Sequence, residues 1–209
     1  MENISPIHLQ EVIFGSSEPK VSKQISRLLR AGKIRKIAPR IYSPNFTEPI
    51  EDIIRRNLLY ILGTLYPEAV LSHRSAFEFR PTEAHHIFLT YTYTKKVKLP
   101  GITLRFLEGH KRIEGDNPIS GELYVSQKSR AFLENLQITR SSGPTSKCLT
   151  LHEIEAKLEQ IIRVHGEEEI NKVRDKANEI AAQLNMQWEF HRLDKIISAR
   201  IVCGSIDGL

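Results

Sequence analysis

The chain of 209 residues is 40% hydrophobic and 26% charged, with 11 glycines and 10 prolines, which suits one large or two small globular domains and not a disordered polymer. No apolar run approaches the roughly 20 residues of a membrane span, and Met1-Glu2-Asn3 lacks the basic-then-apolar layout of a signal peptide, so neither a spanning nor a secreted protein is expected. The formal net charge is +5, and residues 1–45 hold eight of the 30 Lys and Arg against three of the 25 acids, leaving 22 of each sign elsewhere. All eight of those bases fall between Lys20 and Arg40, which suggests a polyanion-binding end on a neutral body.

Ser5-Pro6 reads as an N-cap and a first helical position, and Ile7, Val12, Ile13 and Phe14 predict a short helix that Gly15 stops. Gly15-Ser16-Ser17-Glu18-Pro19 is turn chemistry, with Ser17 as N-cap of a second helix. Val21, Ile25, Leu28 and Leu29 then recur at i, i+4, i+7 and i+8, a helical stripe that Gly32 closes. Off that stripe stand Lys20, Lys23, Gln24, Arg27 and Arg30. Lys33-Ile34-Arg35-Lys36-Ile37, a turn at Ala38-Pro39-Arg40 and Ile41-Tyr42-Ser43 predict a basic β-hairpin.

A helix, a tight turn, a helix with a basic outer face and a basic hairpin are the parts of a winged helix-turn-helix over residues 1–46. In that arrangement the second helix enters the major groove and the hairpin lies along the backbone. Lys20, Lys23, Arg27 and Arg30 of the helix are candidates for guanine edges and Gln24 for adenine, with Arg27 and Gln24 the main readers, whereas the bases of the wing, Arg35, Lys36 and Arg40 with Lys33 at its start, mainly meet phosphates. The plainer alternative is a helical hairpin whose basic face is only solvated.

Residues 47–140 read as an α/β middle domain. Ile50, Ile53, Ile54, Leu58, Ile61, Leu62 and Leu65 predict one helix from about Glu51 to Tyr66, and Ser72 is placed to cap a short helix from His73 to Phe79. Ile87 to Thr94 and Ile102 to Leu107 predict strands joined by a connection from Lys95 to Gly101, with a third strand at Leu123 to Ser126. Arg140 to Ser146 is the clearest linker. Beyond it a helical tail over 147–199 is marked by three runs: Leu151 to Ile162 ended by Gly166, Ile170 to Leu184, and Met186 to Ser198. Such a tail serves structure, homo-oligomerisation or partner contact, and residues 200–209 have little periodicity and are expected to fray. The overall expectation is an α+β chain.

No catalytic, cofactor-binding or metal-binding residue is identified. There is no P-loop, and His152-Glu153 is not followed by a second histidine at zincin spacing. Asp116 with Glu122-Leu123-Tyr124 lacks a nuclease lysine, and Glu155-Ala156-Lys157 lies on a helical pattern where i and i+2 diverge. His85-His86 enters a strand, so its side chains are expected on opposite faces. His73 beside Ser72 and Ser75 has no identifiable orienting acid. Lys95, Lys96 and Lys98 read as a solvated turn. Cys148 and Cys203 stand 55 positions apart without a CxxC, against a disulfide scaffold or a structural zinc ribbon, and a reducing cytoplasm is the default.

The run Ile25-Ser26-Arg27-Leu28-Leu29-Arg30-Ala31-Gly32-Lys33-Ile34-Arg35-Lys36-Ile37 through Arg40-Ile41-Tyr42 resembles the recognition helix and wing of AbiEi-type antitoxins, bacterial transcriptional regulators of toxin–antitoxin operons. Leu71-Ser72-His73-Arg74-Ser75-Ala76-Phe77 resembles the "SH-x-SA" helix start of that family, in which a glycine often stands where this chain has Arg40. The segments Lys33 to Pro44, Leu71 to Phe79 and Gly121 to Leu136 also resemble the region that precedes the Fic domain in some bacterial Fic-family proteins. The first resemblance implies a sequence-specific, double-stranded-DNA-binding autorepressor with a toxin partner. The second implies a truncated or split regulatory module that holds or localises a Fic-type enzyme. The Fic catalytic signature itself, a His followed by Gly-Asn-Gly-Arg, is absent, as is the Asp-x-Asp of a nucleotidyltransferase.

Overall fold

The computed structural model describes residues 10–139 and 143–204. It is a mixed α+β chain with two sheets and seven helices among the described residues. The first helix, α1 (Pro19–Arg30), buries Ile25 and packs Val21, Leu28 and Leu29 against Ile13, Ile34 and Tyr42. Its start uses no side-chain cap: the Ser16 hydroxyl accepts from the Glu18 amide at 3.0 Å, and Ser17, the expected cap, does not serve. The end matches expectation. Gly32 takes φ 65°, its amide donates to the Leu29 carbonyl and Lys33 donates to Leu28, the paired bonds of a Schellman motif.

A three-stranded antiparallel sheet accompanies α1, in the order β1 (Ile13–Phe14), β3 (Ile41–Ser43), β2 (Arg35–Ala38). The expected helix before Gly15 is corrected here. Residues 10–12 are bends and Ile13–Phe14 is a strand, while residues 1–9 of that expectation lie outside the described residues. The reason is period 2. Ile13 points into the α1 cluster, whereas its neighbours Val12 and Phe14 point into the main core. Ile37, Ala38 and Ile41 join that main core too, so the small sheet is buried on both faces.

The expected single helix over 51–66 is two: α2 (Ile50–Arg56) and α3 (Leu58–Leu65). Asn57 interrupts them, its side-chain amide donating to the Ile53 carbonyl at 2.9 Å and to Glu11 at 2.8 Å, a local bond that competes with the helix ladder. The buried residues Ile53, Ile54, Leu58, Ile61 and Leu62 are those of the expected stripe.

The larger sheet has six strands in the order β6-β7-β5-β4-β9-β8: β4 (Val70–Leu71), β5 (His86–Tyr91), β6 (Lys95–Leu99), β7 (Ile102–Glu108), β8 (Asn117–Ser120) and β9 (Leu123–Val125). The expected Lys95–Gly101 connection, with its solvated lysines, is in fact the edge strand β6. Val97 and Leu99 alternate toward the core, and only Pro100-Gly101 turns the chain, with Gly101 at φ 72°. Edge-strand lysines also hinder edge-to-edge pairing.

Between β4 and β5 lies α4 (Arg74–Glu78), and α5 (Lys128–Asn135) comes after β9. Ser72 does not cap α4: His73 at φ 54°, ψ −137° precedes the helix, and the Ser72 hydroxyl is 3.0 Å from the His73 ring and accepts from Thr90 at 2.9 Å. Then comes α6 (Leu151–Leu184), opened by a Thr150–Glu153 capping box and broken at Gly166 (φ 82°), and α7 (Gln187–Gly204). The helix α7 thus runs past Arg200, whose guanidinium pairs with Glu155 and Glu159 of α6. Phe132 and Leu133 of α5, with Leu136 just past its end, form one cluster with Ile154, Leu158, Ile170 and Leu193, which joins α5 to the tail helices. Arg140–Ser142 of the expected linker lie outside the described residues. The rest of it is tied down, with the Arg74 side chain donating to the Gly143 carbonyl at 3.2 Å and to that of Cys148 just beyond, and Leu149 bonded to Asn135.

Candidate nucleic-acid interface

On α1 the positions of Lys20, Lys23, Gln24 and Arg27 are i, i+3, i+4 and i+7, so the four share one face, and Arg30 continues it. All five are exposed, and the apolar stripe faces the sheet. The first turn carries no acid and the last carries Arg27 and Arg30, so the helix itself offers its bases no counterion. Arg30 bends back to the Ser26 carbonyl at 3.4 Å. Lys33, beyond the Gly32 turn, and Lys36, opposite Tyr42 on the hairpin, are exposed as well.

Two of the bases expected along the wing are held by the protein itself. The Arg35 guanidinium is half-buried, donates to the Glu48 carbonyl at 2.5 Å, lies 5.8 Å from the centre of the Phe46 ring and keeps its Nε buried without a partner. Arg40 sits at φ 61°, the left-handed backbone that costs a non-glycine residue about 1 kcal/mol. The Gly15 N–H donates to the Arg40 carbonyl at 2.7 Å, and the Arg40 guanidinium returns a bond to the Gly15 carbonyl at 3.1 Å. Arg40 stays exposed, but it also fastens the hairpin turn to β1.

Among the described residues no ion pair involves any Lys or Arg between positions 20 and 40. The body is different. Arg130 is buried between Glu134 at 2.8 Å and Asp116 at 2.5 Å and also donates to the carbonyls of His110 and Lys111. Arg74 is buried against Glu78 and Glu153. Apart from the half-buried Arg35, the N-terminal bases are therefore exposed positive charge without counterions among the described residues, an arrangement that raises the local positive potential.

The second place where polar residues converge is internal. His73 Nε2 lies 3.2 Å from Gln137 Oε1 and 3.3 Å from Lys147 Nζ, while Glu134 accepts from the His73 amide at 3.2 Å and from the Ser126 hydroxyl at 2.8 Å. Burial lowers the His73 ring from 6.5 to about 4, Lys147 adding to the shift and Glu134 opposing it. The sequence offered no acid for Ser72 and His73; Glu134, from 61 positions away, reaches the backbone of His73 and not its ring. Ser72 is fully buried, which leaves a substrate no access to its hydroxyl. The cluster is a polar clamp between sheet, α4 and α5. His85, at φ 57°, stands outside the strand that His86 begins, so the adjacent histidines are not a strand pair.

No helix among the described residues is long and apolar enough to cross a membrane. Comparisons with family models, with curated proteins and with solved structures return no match.

Proposed function

We propose that the chain is a sequence-specific double-stranded-DNA-binding transcriptional regulator of the AbiEi kind, an autorepressor that uses α1 as the recognition helix and the β2–β3 hairpin as the wing of a winged helix-turn-helix. The observation that carries this reading is the set of exposed bases on α1 and the hairpin with no carboxylate partner, in a protein whose buried arginines are paired. A helix of 12 residues is about 18 Å long and suits a major groove about 12 Å wide. Gln24 stands mid-helix and Arg27 one turn further along the same exposed face, which in this reading meets base edges, and Lys36 stands on the hairpin, which meets phosphates.

The test is a selection of bound duplexes from a random pool with the full chain, followed by affinity measurements on the enriched duplex and a scrambled one. Arg27→Ala should cost about 1–3 kcal/mol on the enriched duplex and much less on the scrambled one, because a base contact discriminates. Lys36→Ala should weaken both alike and reduce the salt slope by about one. Equal loss on both duplexes for Arg27→Ala would remove α1 from the role of reading element, and no enrichment from the pool would refute sequence-specific binding.

A further inference from the structure

A cavity of about 410 Å³ opens where α4, the β8–β9 end of the sheet, the start of α5 and the first half of α6 meet. Its size falls within the range of about 300–1,000 Å³ typical of small-molecule sites. The apolar lining is supplied by Ala76, Phe77, Val125 and Ile161, of which Phe77 is fixed by its ring contact with Phe132 at 4.8 Å. At the mouth stand Phe79 and Val164, 50% and 60% exposed, two large apolar side chains that the fold leaves in water beside an apolar concavity. Phe79 also adopts φ 53°, a left-handed backbone that costs a bulky residue about 1–2 kcal/mol, and its ring is not buried in return.

The polar lining has one sign. Lys128, Lys157 and His165 face the cavity together with Asn117, Ser126 and Gln160, and no Asp or Glu is among the described residues that line it. The Lys157 ammonium lies over the Phe77 ring, 5.0 Å from its centre, so a cation is held directly on the apolar floor. The acids around it are engaged elsewhere: Glu155 and Glu159, two positions to either side, pair with Arg200, while Glu153, one turn before it, and Glu78 of α4 both pair with Arg74, at 2.7 and 2.9 Å, and Glu153 also closes the α6 capping box. Neither Lys128 nor Lys157 forms an ion pair with a described residue.

We propose that this cavity is a binding site for a small organic anion, a molecule with a planar or aliphatic apolar body and one carboxylate, sulfonate or phosphate group. The body rests on Phe77, Val125 and Ile161 and is closed over by Phe79 and Val164, and the anionic group meets Lys157 and Lys128. A duplex does not fit an apolar concavity of this size, so the site is separate from the α1 surface and independent of whether that surface binds DNA. Three of the four walls belong to α4, α5 and α6, so an occupant would bridge the sheet layer and the tail helices.

The probe is 1-anilinonaphthalene-8-sulfonate, an aromatic body with a single sulfonate, followed by its fluorescence on the native full chain. Its neutral counterpart is N-phenyl-1-naphthylamine. One saturable site per chain is expected, with the sulfonate bound at least about tenfold more tightly than the neutral amine. Lys157→Gln should weaken the sulfonate about tenfold, the effect of losing one hydrogen bond to a charged group, and leave the amine unchanged. Val164→Glu, an exposed change at the mouth, should weaken the sulfonate further, whereas Lys172→Gln, far along α6 and paired with Glu168, should change nothing. Equal affinity for amine and sulfonate, several non-saturating sites, or a Lys128→Gln/Lys157→Gln double variant that binds the sulfonate like the native chain would each overturn the assignment.

Discussion

Arg130 and Arg27 carry the same guanidinium into opposite circumstances. Arg130 is fully buried, with two carboxylates and two carbonyls around it, and a charge removed from water in this way is tolerable only because each of its three nitrogens finds a partner. Arg27 lies on an exposed helix face with no described acid paired to it, and only the weak attraction of the helix C-terminus engages its charge. The contrast separates charge that holds the fold from charge that is spare. It holds within the N-terminal sheet as well, where Arg35 and Arg40 are fastened to the Glu48 and Gly15 carbonyls while Lys36 is not.

The sharpest way to break that distinction is to truncate both arginines. Arg130→Ala leaves Glu134 and Asp116 buried together without a counterion and should cost about 3–5 kcal/mol in urea unfolding. Arg27→Ala should change stability by less than about 0.5 kcal/mol. Comparable losses from the two would contradict the division. Next in size is the seam between the regions. Ile41 is fully buried in the main core although it belongs to the α1 sheet, so Ile41→Ala should cost about 2–5 kcal/mol and lower the single unfolding transition of the whole chain. A variant in which the α1 unit melts alone would show that the two regions are independent.

The clamp has its own signature. A histidine whose folded value is lowered to about 4 favours the neutral form, so its contribution is fully present above about pH 6.5 and is lost as pH falls toward 4, by up to about 3 kcal/mol. Denaturation at pH 7 and pH 4.5 measures it, and His73→Asn should flatten that part of the profile. The smallest effect is at the hairpin turn. Arg40→Gly relieves a left-handed backbone worth about 1 kcal/mol and loses one bond to Gly15, so stability should shift by no more than about 1 kcal/mol while the salt slope of DNA binding falls by about one. Thermal melting and a salt titration check both halves.

Elements fixed by near neighbours in sequence were readable. The α1 stripe, the Gly32 stop, the hairpin around Pro39-Arg40 and the break at Gly166 all come from periodicity and glycine placement within a few residues. Elements fixed at a distance were not. Ile13–Phe14 is a strand because β3 pairs with it from nearly thirty residues away, and β6 is a strand because β7 pairs with it, although its lysines disguise the alternation of Val97 and Leu99. The same holds for side chains. Ser72 has the look of a cap and is instead held by Thr90 and His73, and the bond from Arg35 to the Glu48 carbonyl had no sign in the sequence around it. The helix α5 was not read from the sequence, although Phe132, Leu133 and Leu136 stand at i, i+1 and i+4. The candidate cavity had no local signal, since its lining comes from four separate elements.

The spare charge of the N-terminal region is tested most directly by the salt dependence of duplex binding. With four to six phosphates neutralised per chain, the logarithm of the association constant should fall against the logarithm of salt with a slope of about −4 to −5, and a Lys20→Gln/Lys23→Gln/Arg27→Gln chain should flatten it by about three. A chain that binds no duplex at low salt, or one whose slope is unchanged when those three bases are neutralised, would contradict the assignment of α1 as the DNA-binding surface.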